Sequence, residues 1–363
     1  YNIYLMKKKL TFLGIETSCD ETAAAVVQEN GDGTAKVLSN VVSSQIEEHK
    51  KFGGVVPEIA ARTHVENIDF IIQHALDKSK KKIKDLDGVA ATAGPGLVVC
   101  LNIGYNIGKS IAYFGKKFFF PINHLEGHAL SPGLEKKINY PYLLLLISGG
   151  HSQYIIVKNL NNYKQIGTTI DDAVGEAFDK TAKILGLGYP GGPNVERVAN
   201  LGNKNSYSLP QPIINRGGCN LSLAGLKTDI LRKSKNIKSD KDKYDLTASF
   251  QETIVKILRK KTEVAMNMFR KETSDNSLKP FVVAGGVAAN ETIRKNLKEV
   301  SKKMKFKPIF PSKEFCGDNA AMIAWAGIQR YKKKLFKNKN ETVKSRWPLD
   351  MKAPFLKGPG LKI

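Results

Sequence analysis

The sequence predicts an α/β protein built as two lobes of similar plan. Three observations predict it: short β-rich apolar runs alternate with longer segments of helical period, glycine-rich or hydroxyl-rich turns stand at the carboxyl ends of several runs, and the arrangement begins again in the second half of the chain. Ligands of such proteins settle where strand ends meet helix starts, so these turns are the first places to look for chemistry.

Residues 10–17 form a β-rich run that enters a polar turn, 18–22, and residues 23–27 return as a second strand, a hairpin with a polar tip. After the turn at Gly31-Asp32-Gly33 comes a strand over 37–44. Pro57 opens a helix over 58–75, with Ile59, Ala60, Val65, Ile68 and Ile71-Ile72 near helical period. A short buried strand over 87–92 ends at Gly94-Pro95-Gly96 and leads into a helix over 97–114; a strand over 118–122 and a helix over 124–130 close the first lobe. The second lobe repeats the theme with strands over 142–147 and 153–157, a helix over 173–185 and a glycine-rich turn over 186–193. A long helix over 246–269, a strand over 280–284 ending in Gly285-Gly286 and a helix over 291–300 follow, and a helix over 320–334 returns to the first lobe. The repetition points to duplication.

The 363 residues, 42% of them hydrophobic, suffice for two cores, and no apolar run reaches the roughly 18 residues of a membrane-spanning helix. Cys19, Cys100, Cys219 and Cys316 are scattered with no CxxC pair, which argues against a disulfide framework or a zinc ribbon and for a reducing compartment. Residues 1–9 are basic without an apolar core or cleavage site, so no secretory signal is expected. The formal charge of +23 gathers polyanions, and nucleic acid is the leading partner class. The bland alternative is solvated lysine, as in the runs over 78–84 and 332–334.

Three turns can present backbone N–H groups to an anion: 15–22, Ile147-Ser148-Gly149-Gly150-His151, and 283–290. Glycine permits the close approach a phosphate requires, and a following helix start adds partial positive charge. Two such turns in separate lobes, with a hydroxyl-rich hairpin, favour one bound nucleotide. Asn290 can read a ribose or base edge or cap the helix at Glu291. His124 and His128, at i and i+4, share a helix face within reach of one metal ion; the alternative is two surface or capped histidines. Glu126 lies off that face, unlike the base of a zinc protease. Asp318 is the best third ligand for a two-histidine, one-carboxylate site suited to iron(II) or zinc, its alternative role being the cap of the helix that follows. Asp171, Asp172, Glu176 and Asp179 form an acidic cluster; Glu176 and Asp179 share a face and can hold ribose hydroxyls or be solvated.

Taken together, the turn over 15–22, Phe52-Gly53-Gly54-Val55-Val56-Pro57-Glu58, His124 to His128, Ser148 to His151, Gly175-Glu176-Ala177-Phe178-Asp179-Lys180, Tyr189-Pro190-Gly191-Gly192-Pro193 and Ala284 to Asn290 resemble the tRNA N6-adenosine threonylcarbamoyltransferases, once called O-sialoglycoprotein endopeptidases. Gly53 to Pro57 and the ending Arg346-Trp347-Pro348-Leu349-Asp350 are similar to the bacterial or organellar branch. The resemblance implies an actin-like (ASKHA) two-lobed fold with duplicated mixed sheets, nucleotide and metal lying in the interlobe cleft. It further implies transfer of the threonylcarbamoyl group of threonylcarbamoyl-AMP to N6 of adenosine 37 in tRNAs reading codons that begin with A. By resemblance, His124, His128 and Asp318 match the metal ligands, for one Fe2+ per subunit or Zn2+. Ile147, Ser148, Gly149, Gly150, His151, Asp179, Gly192, Asn290 and, more loosely, Glu196 match the adenylate-binding positions, and Asp20 and Glu21 match acidic residues linked to transfer. The implied partners are the tRNA anticodon loop and accessory subunits, an inactive paralogue and an ATPase if bacterial or a homodimer if organellar, with no membrane, in the cytoplasm or alternatively a mitochondrial or plastid matrix. The stretch over 220–228 departs from the family pattern by an aromatic and a hydroxyl, although Gly225 to Thr228 are intact. The expected lobes are 9–133 with 310–347, and 134–309, with tails at 1–8 and 348–363. Two rival readings are a sugar or acetate kinase of the same superfold, which has no need of His124 and His128, and a non-catalytic actin-like scaffold.

Overall fold

In a computed structural model that describes residues 9–336 and 341–354, five strands, β1 (Thr11–Glu16), β2 (Glu21–Glu29), β3 (Ala35–Ser44), β4 (Gly88–Gly94) and β5 (Phe118–Asn123), form a sheet of order β3-β2-β1-β4-β5. β1 pairs antiparallel with β2 and parallel with β4. The helices of this part are α1 (Ile46–Lys50), α2 (Pro57–Ser79), α3 (Val98–Phe114) and α4 (His124–Leu130). α2 and α3 cover one sheet face, burying Ile68, Ile72, Leu76 and Ala112 against Leu13, Ile15, Ala24 and Val26. Burial of a side chain of this kind stabilises by roughly 1.5–3 kcal/mol. Proline at the first position of α2 suits a site whose N–H has no partner in the helix.

The second sheet repeats the first. Strands β6 (Tyr142–Ile147), β7 (Ser152–Asn159), β8 (Asn162–Thr168), β9 (Lys279–Ala284) and β10 (Phe306–Ile309) lie in the order β10-β9-β6-β7-β8. Its central strand again has an antiparallel hairpin partner on one side and a parallel neighbour on the other. The helices are α5 (Val174–Leu185), α6 (Gly191–Ala199), α7 (Ala224–Ser234), α8 (Asp240–Thr273) and α9 (Glu291–Lys303). α8 begins before the expected 246 because Ser239 and Asp242 cap it reciprocally: Ser239 Oγ accepts from Asp242 N at 3.2 Å, and Asp242 Oδ2 from Ser239 N at 3.1 Å. A last helix, α10 (Ala320–Lys332), packs on the first sheet, where the bare Gly14 and Gly327 permit backbone approach that a Cβ would block.

The chain divides into two units, one drawn from Tyr1–Ile138 and Asp318–Leu349, the other from Asn139–Gly317 and Asp350–Ile363. The boundaries differ from those the sequence suggested. Residues 310–317 stay with the second unit because Arg294 donates to the Pro311 carbonyl at 2.5 Å and contacts Cys316 Sγ at 3.1 Å. Residues 348–354 are not a free tail: Asp350 Oδ2 accepts from Gln165 N at 2.9 Å. The expected tail at 1–8 and the last part of the other, 355–363, lie outside the described residues.

Candidate functional site

Asn123 ends β5 and caps α4, its Oδ1 accepting from Leu125 N at 2.9 Å and Glu126 N at 3.4 Å. The cap starts the helix so that His124 and His128 fall one turn apart, with perpendicular rings whose centroids are 4.7 Å apart. Both Nε2 atoms converge on one oxygen: Asp318 Oδ1 lies 3.4 Å from His124 Nε2 and 3.0 Å from His128 Nε2. These histidines are buried, not surface residues. Asp318 does not cap α10; Asn319 does, accepting from Met322 N at 3.0 Å, which leaves the Asp318 carboxylate for the imidazoles. Glu126, between the histidines in sequence, faces away and is held by Arg330, two of whose nitrogens lie 2.7 Å from Oε2.

Glu16 stands behind the metal-ligand candidates. Its Oε2 is 3.0 Å from His124 Nδ1 and accepts from Thr92 Oγ1 at 2.5 Å, while Oε1 accepts from Ser18 N at 2.5 Å. A carboxylate on Nδ1 fixes the ring and turns Nε2 toward the position a metal would take. Burial opposes charge on His124, but Asp318 and Glu16 outweigh it and hold the imidazole well above its ordinary value. Burial likewise pushes Asp318 up, yet the two imidazoles hold it well below the usual carboxylate range. Two nitrogens and a carboxylate oxygen, all within 4.8 Å of one another and mostly buried, form a donor set that fits a divalent transition metal with positions left open. Among the described residues this is the one His, Cys, Asp and Glu group with that geometry.

The turn that follows β1 is held at each side. Thr17 Oγ1 donates to Cys100 O at 2.9 Å and accepts from Gly104 N at 3.2 Å; Ser18 O accepts from Leu97 N at 2.9 Å; Asp20 O accepts from Gln45 N at 3.2 Å. Asp20 is buried and Glu21 half-buried. Burial, then the nearby Asp318 and Asp20 charges, raise Glu21 well above the usual carboxylate range.

The residues matched to the adenylate form a second constellation, wholly within the other unit. The carboxyl ends of β6 and β9 lie side by side, with Leu146 opposite Ala284. Gly285, at φ +94°, lies so close to the Ile147 carbonyl that a Cβ would collide with it. Ser148 N donates to His151 O at 2.8 Å and His151 N to Ser148 Oγ at 3.1 Å, closing a turn whose Gly149 and Gly150 are exposed. Gly175 N donates to Ser148 O at 3.1 Å, seating α5 on that turn. Asp179 Oδ1 accepts from Gly191 N at 2.9 Å and Glu196 Oε1 from Glu291 N at 2.7 Å, so α5, α6 and α9 are tied in a ring that returns to Gly285. A Cβ on Gly149, Gly150, Gly192 or Gly286 would meet nothing within 4 Å, so open backbone lines the ring as an anion requires.

Several expectations are corrected in this unit. The glycine-rich turn stops at Pro190, and Gly191 begins α6 because only a residue without Cβ fits beside Asp179. Asn290 spends its side chain internally, capping Ile293 N at 2.9 Å and donating to Gln251 Oε1 at 2.9 Å. The acidic cluster is compensated: Lys180 lies 2.7 Å from both Asp172 and Glu176, and Asp171 holds Ser222 and Leu223 N at the start of α7, within the stretch that departs from the family pattern. Residues the sequence did not single out for a role are Glu16, Thr92 and His64. Glu16 carried a signal, an acid ending an apolar strand.

Comparison with known proteins bears on the family and the fold. Residues 36–325 match the sequence profile described as TsaD, tRNA N6-adenosine threonylcarbamoyltransferase. The protein of that name from Pelagibacter ubique (strain HTCC1062) is 57% identical over 358 residues, 99% of this chain and 100% of the relative, and that of Brucella anthropi is 48% identical over 353 residues, 97% and 98%. The crystal structure of full-length HypF in its phosphate- and nucleotide-bound form superposes with a TM-score of 0.57 at 15% identity, over 92% of this chain and 48% of that one, so this chain spans about half its length. That likeness shows the fold, the duplicated mixed sheets of the actin-like class. With matches this long, and with both constellations assembled from the motifs that carried the resemblance, the chain belongs to the tRNA N6-adenosine threonylcarbamoyltransferase family.

Proposed function

We propose that the protein transfers the threonylcarbamoyl group of threonylcarbamoyl-AMP to N6 of adenosine 37 in tRNAs reading codons that begin with A, forming N6-threonylcarbamoyladenosine. The observation that carries the reading is the convergence of both imidazole Nε2 atoms on Asp318 Oδ1, in a chain of this family. In the reaction a bond forms from N6 to the carbamoyl carbon, the bond from that carbon to the phosphate oxygen breaks, AMP leaves, and N6 gives up one proton. An exocyclic adenine amine is a weak nucleophile, so the carbonyl must be polarised. His124, His128 and Asp318 hold Fe2+, with Zn2+ as the alternative, and the bound metal supplies Lewis acidity. Glu16 keeps His124 turned toward that position. Ile147 to His151, Asp179, Gly192 and Glu196 seat the adenylate, the glycines offering backbone N–H groups to its phosphate, while Asn290 holds the start of α9 beside them. Asp20 accepts the N6 proton, and the neighbouring Glu21 orients Asp20.

The partner is tRNA, its anticodon loop splayed into the site and its phosphates held by lysines. Exposed Lys295, Lys298 and Lys302 on α9, whose first turn carries the ring contact of Glu291, are suited to that task. No described helix is long and apolar enough to cross a membrane. The bacterial relatives favour the cytoplasm and accessory subunits of the bacterial kind, an inactive paralogue and an ATPase, with the donor made elsewhere. The test is mass spectrometry of tRNA nucleosides after incubating metal-loaded protein and its partner subunits with threonylcarbamoyl-AMP and unmodified tRNA. Appearance of the modified nucleoside supports the reading; its absence from a reaction in which a homologous enzyme succeeds overturns it.

A further inference from the structure

α2 lies on the flank of the first sheet and takes no part in the candidate metal site, yet one of its side chains reaches the acidic turn. His64 is fully buried, on the same stripe of α2 as Ala60, Ile68 and Ile72. Its Nε2 is 3.0 Å from the Cys19 carbonyl and its Nδ1 2.7 Å from Thr22 Oγ1. These two contacts bracket Asp20 and Glu21. The tautomer follows from the partners: a carbonyl only accepts, so Nε2 carries the proton, and Nδ1 accepts from the Thr22 hydroxyl and, at 3.4 Å, from Gln45 Nε2. Gln45 Oε1 in turn accepts from His49 Nε2 at 3.2 Å, and His49 Nδ1 from Val56 N at 3.4 Å. Gln45 N also donates to the Asp20 carbonyl at 3.2 Å, so the same glutamine touches both the turn and its support. The hydrogen bonds of this network are satisfied with a neutral His64, and burial, the largest influence on that imidazole, lowers it.

A fully satisfied buried network fixes one geometry, because each alternative leaves a buried polar group unpaired. We propose that His64 is a positioning residue for the acidic turn: through the Cys19 carbonyl and the Thr22 hydroxyl it sets where the Asp20 and Glu21 carboxyl groups stand beside the candidate metal site. This rests on the reading of those two acids as participants in transfer. It assigns His49 and Gln45 the part of holding His64, and it makes the segment from α1 to the start of α2 a support for the site.

The test uses the full chain with its partner subunits and the variants His64→Phe, His64→Gln and His64→Asn. The glutamine amide reaches the place of Nε2 and can still donate to the Cys19 carbonyl; the asparagine amide reaches only that of Nδ1. Two readouts are taken, kcat and KM for transfer, and the alkylation rate of Cys19, which sits in the turn and is the half-buried one of four free cysteines. The expected result for His64→Phe and His64→Asn is at least a tenfold fall in kcat with KM for tRNA within about twofold, full metal content, and at least a tenfold faster alkylation of Cys19. His64→Gln recovers most of both. Unchanged Cys19 alkylation in all variants overturns the proposal, as does a Gln variant no better than the Asn variant. Failure of the wild-type chain to transfer overturns the functional reading instead, and the alkylation result stands apart from it.

Discussion

Replacing Arg330 by methionine tests what holds the metal-binding helix in place. Glu126 sits between His124 and His128 in α4 with no solvent exposure, and the Arg330 side chain of α10 is 5% exposed, with two nitrogens 2.7 Å from the same carboxylate oxygen. Breaking a buried ion pair by removing one partner costs roughly 3–5 kcal/mol, whereas replacing both by apolar side chains is often neutral or stabilising. For a unit of this size each kcal/mol lowers the melting temperature by roughly 2–4 °C, so Arg330→Met is expected to melt roughly 6–20 °C lower. Arg330→Met combined with Glu126→Leu is expected to recover most of that loss. Because α10 begins just after Asp318, loosening α4 against α10 separates the ligands too, and the single variant is expected to hold metal less tightly than the double. Thermal unfolding by circular dichroism and metal content by plasma mass spectrometry measure both effects. A single variant within about 1 kcal/mol of wild type, or a double variant as unstable as the single, refutes the reasoning.

Four further outcomes follow from the same geometry. Since Asp318 and Glu16 raise His124 well above its ordinary value, loading at pH below that raised value is expected to release a proton, with metal affinity rising about tenfold per pH unit until the value is passed; calorimetry in buffers of different ionisation enthalpy counts the proton. The stability of the metal-free protein carries the matching sign: the His124–Asp318 pair contributes fully between the unfolded values of about 3.9 and 6.5, its His124 part is lost as pH rises through the raised value, and its Asp318 part as pH falls through the depressed one. Burial pushes the Cys100 and Cys219 thiols up to about 11 and about 12, so at pH 8 both are expected to resist alkylation in the native protein and to react fully in denaturant. Gly285→Ala drives a methyl group into the Ile147 carbonyl from a backbone at φ +94°, so loss of nucleotide binding, read by AMP titration, is expected while the metal site, in the other unit, keeps its affinity.

The strands and the long helices were legible because their signals are local. Tyr142–Ile147 is an unbroken apolar run, and Asn123 and Pro57 stand where helix starts want them. The misses have physical causes. β10 is four residues with Lys307 and Pro308 in the middle, at the edge of its sheet, where solvent on one side removes the apolar signature of a strand. α6 begins with two glycines and a proline, a composition that reads as turn until Asp179 supplies the partner for the Gly191 N–H. On α2 the expected apolar stripe included Val65, which is 62% exposed, and omitted His64, which is buried.

That last exchange shows where reading a site from residue types stops. His124, His128 and Asp318 could be picked because imidazole pairs and carboxylates announce metal chemistry by type and spacing. The groups that orient them cannot, because Glu16, Thr92 and His64 act through distances between segments remote in sequence: 76 residues separate Thr92 from Glu16, 108 separate His124 from Glu16, and 45 separate His64 from Cys19. Each supporting residue has a bland local reading, a strand-end acid, a strand threonine, a helix histidine, and acquires its role only when the sheet places β1, β4 and the start of α4 side by side. A polar residue on an otherwise apolar stripe is the trace such residues leave in a sequence. Burying it costs free energy unless a partner waits, so its presence says that a partner exists and leaves the fold to say which one.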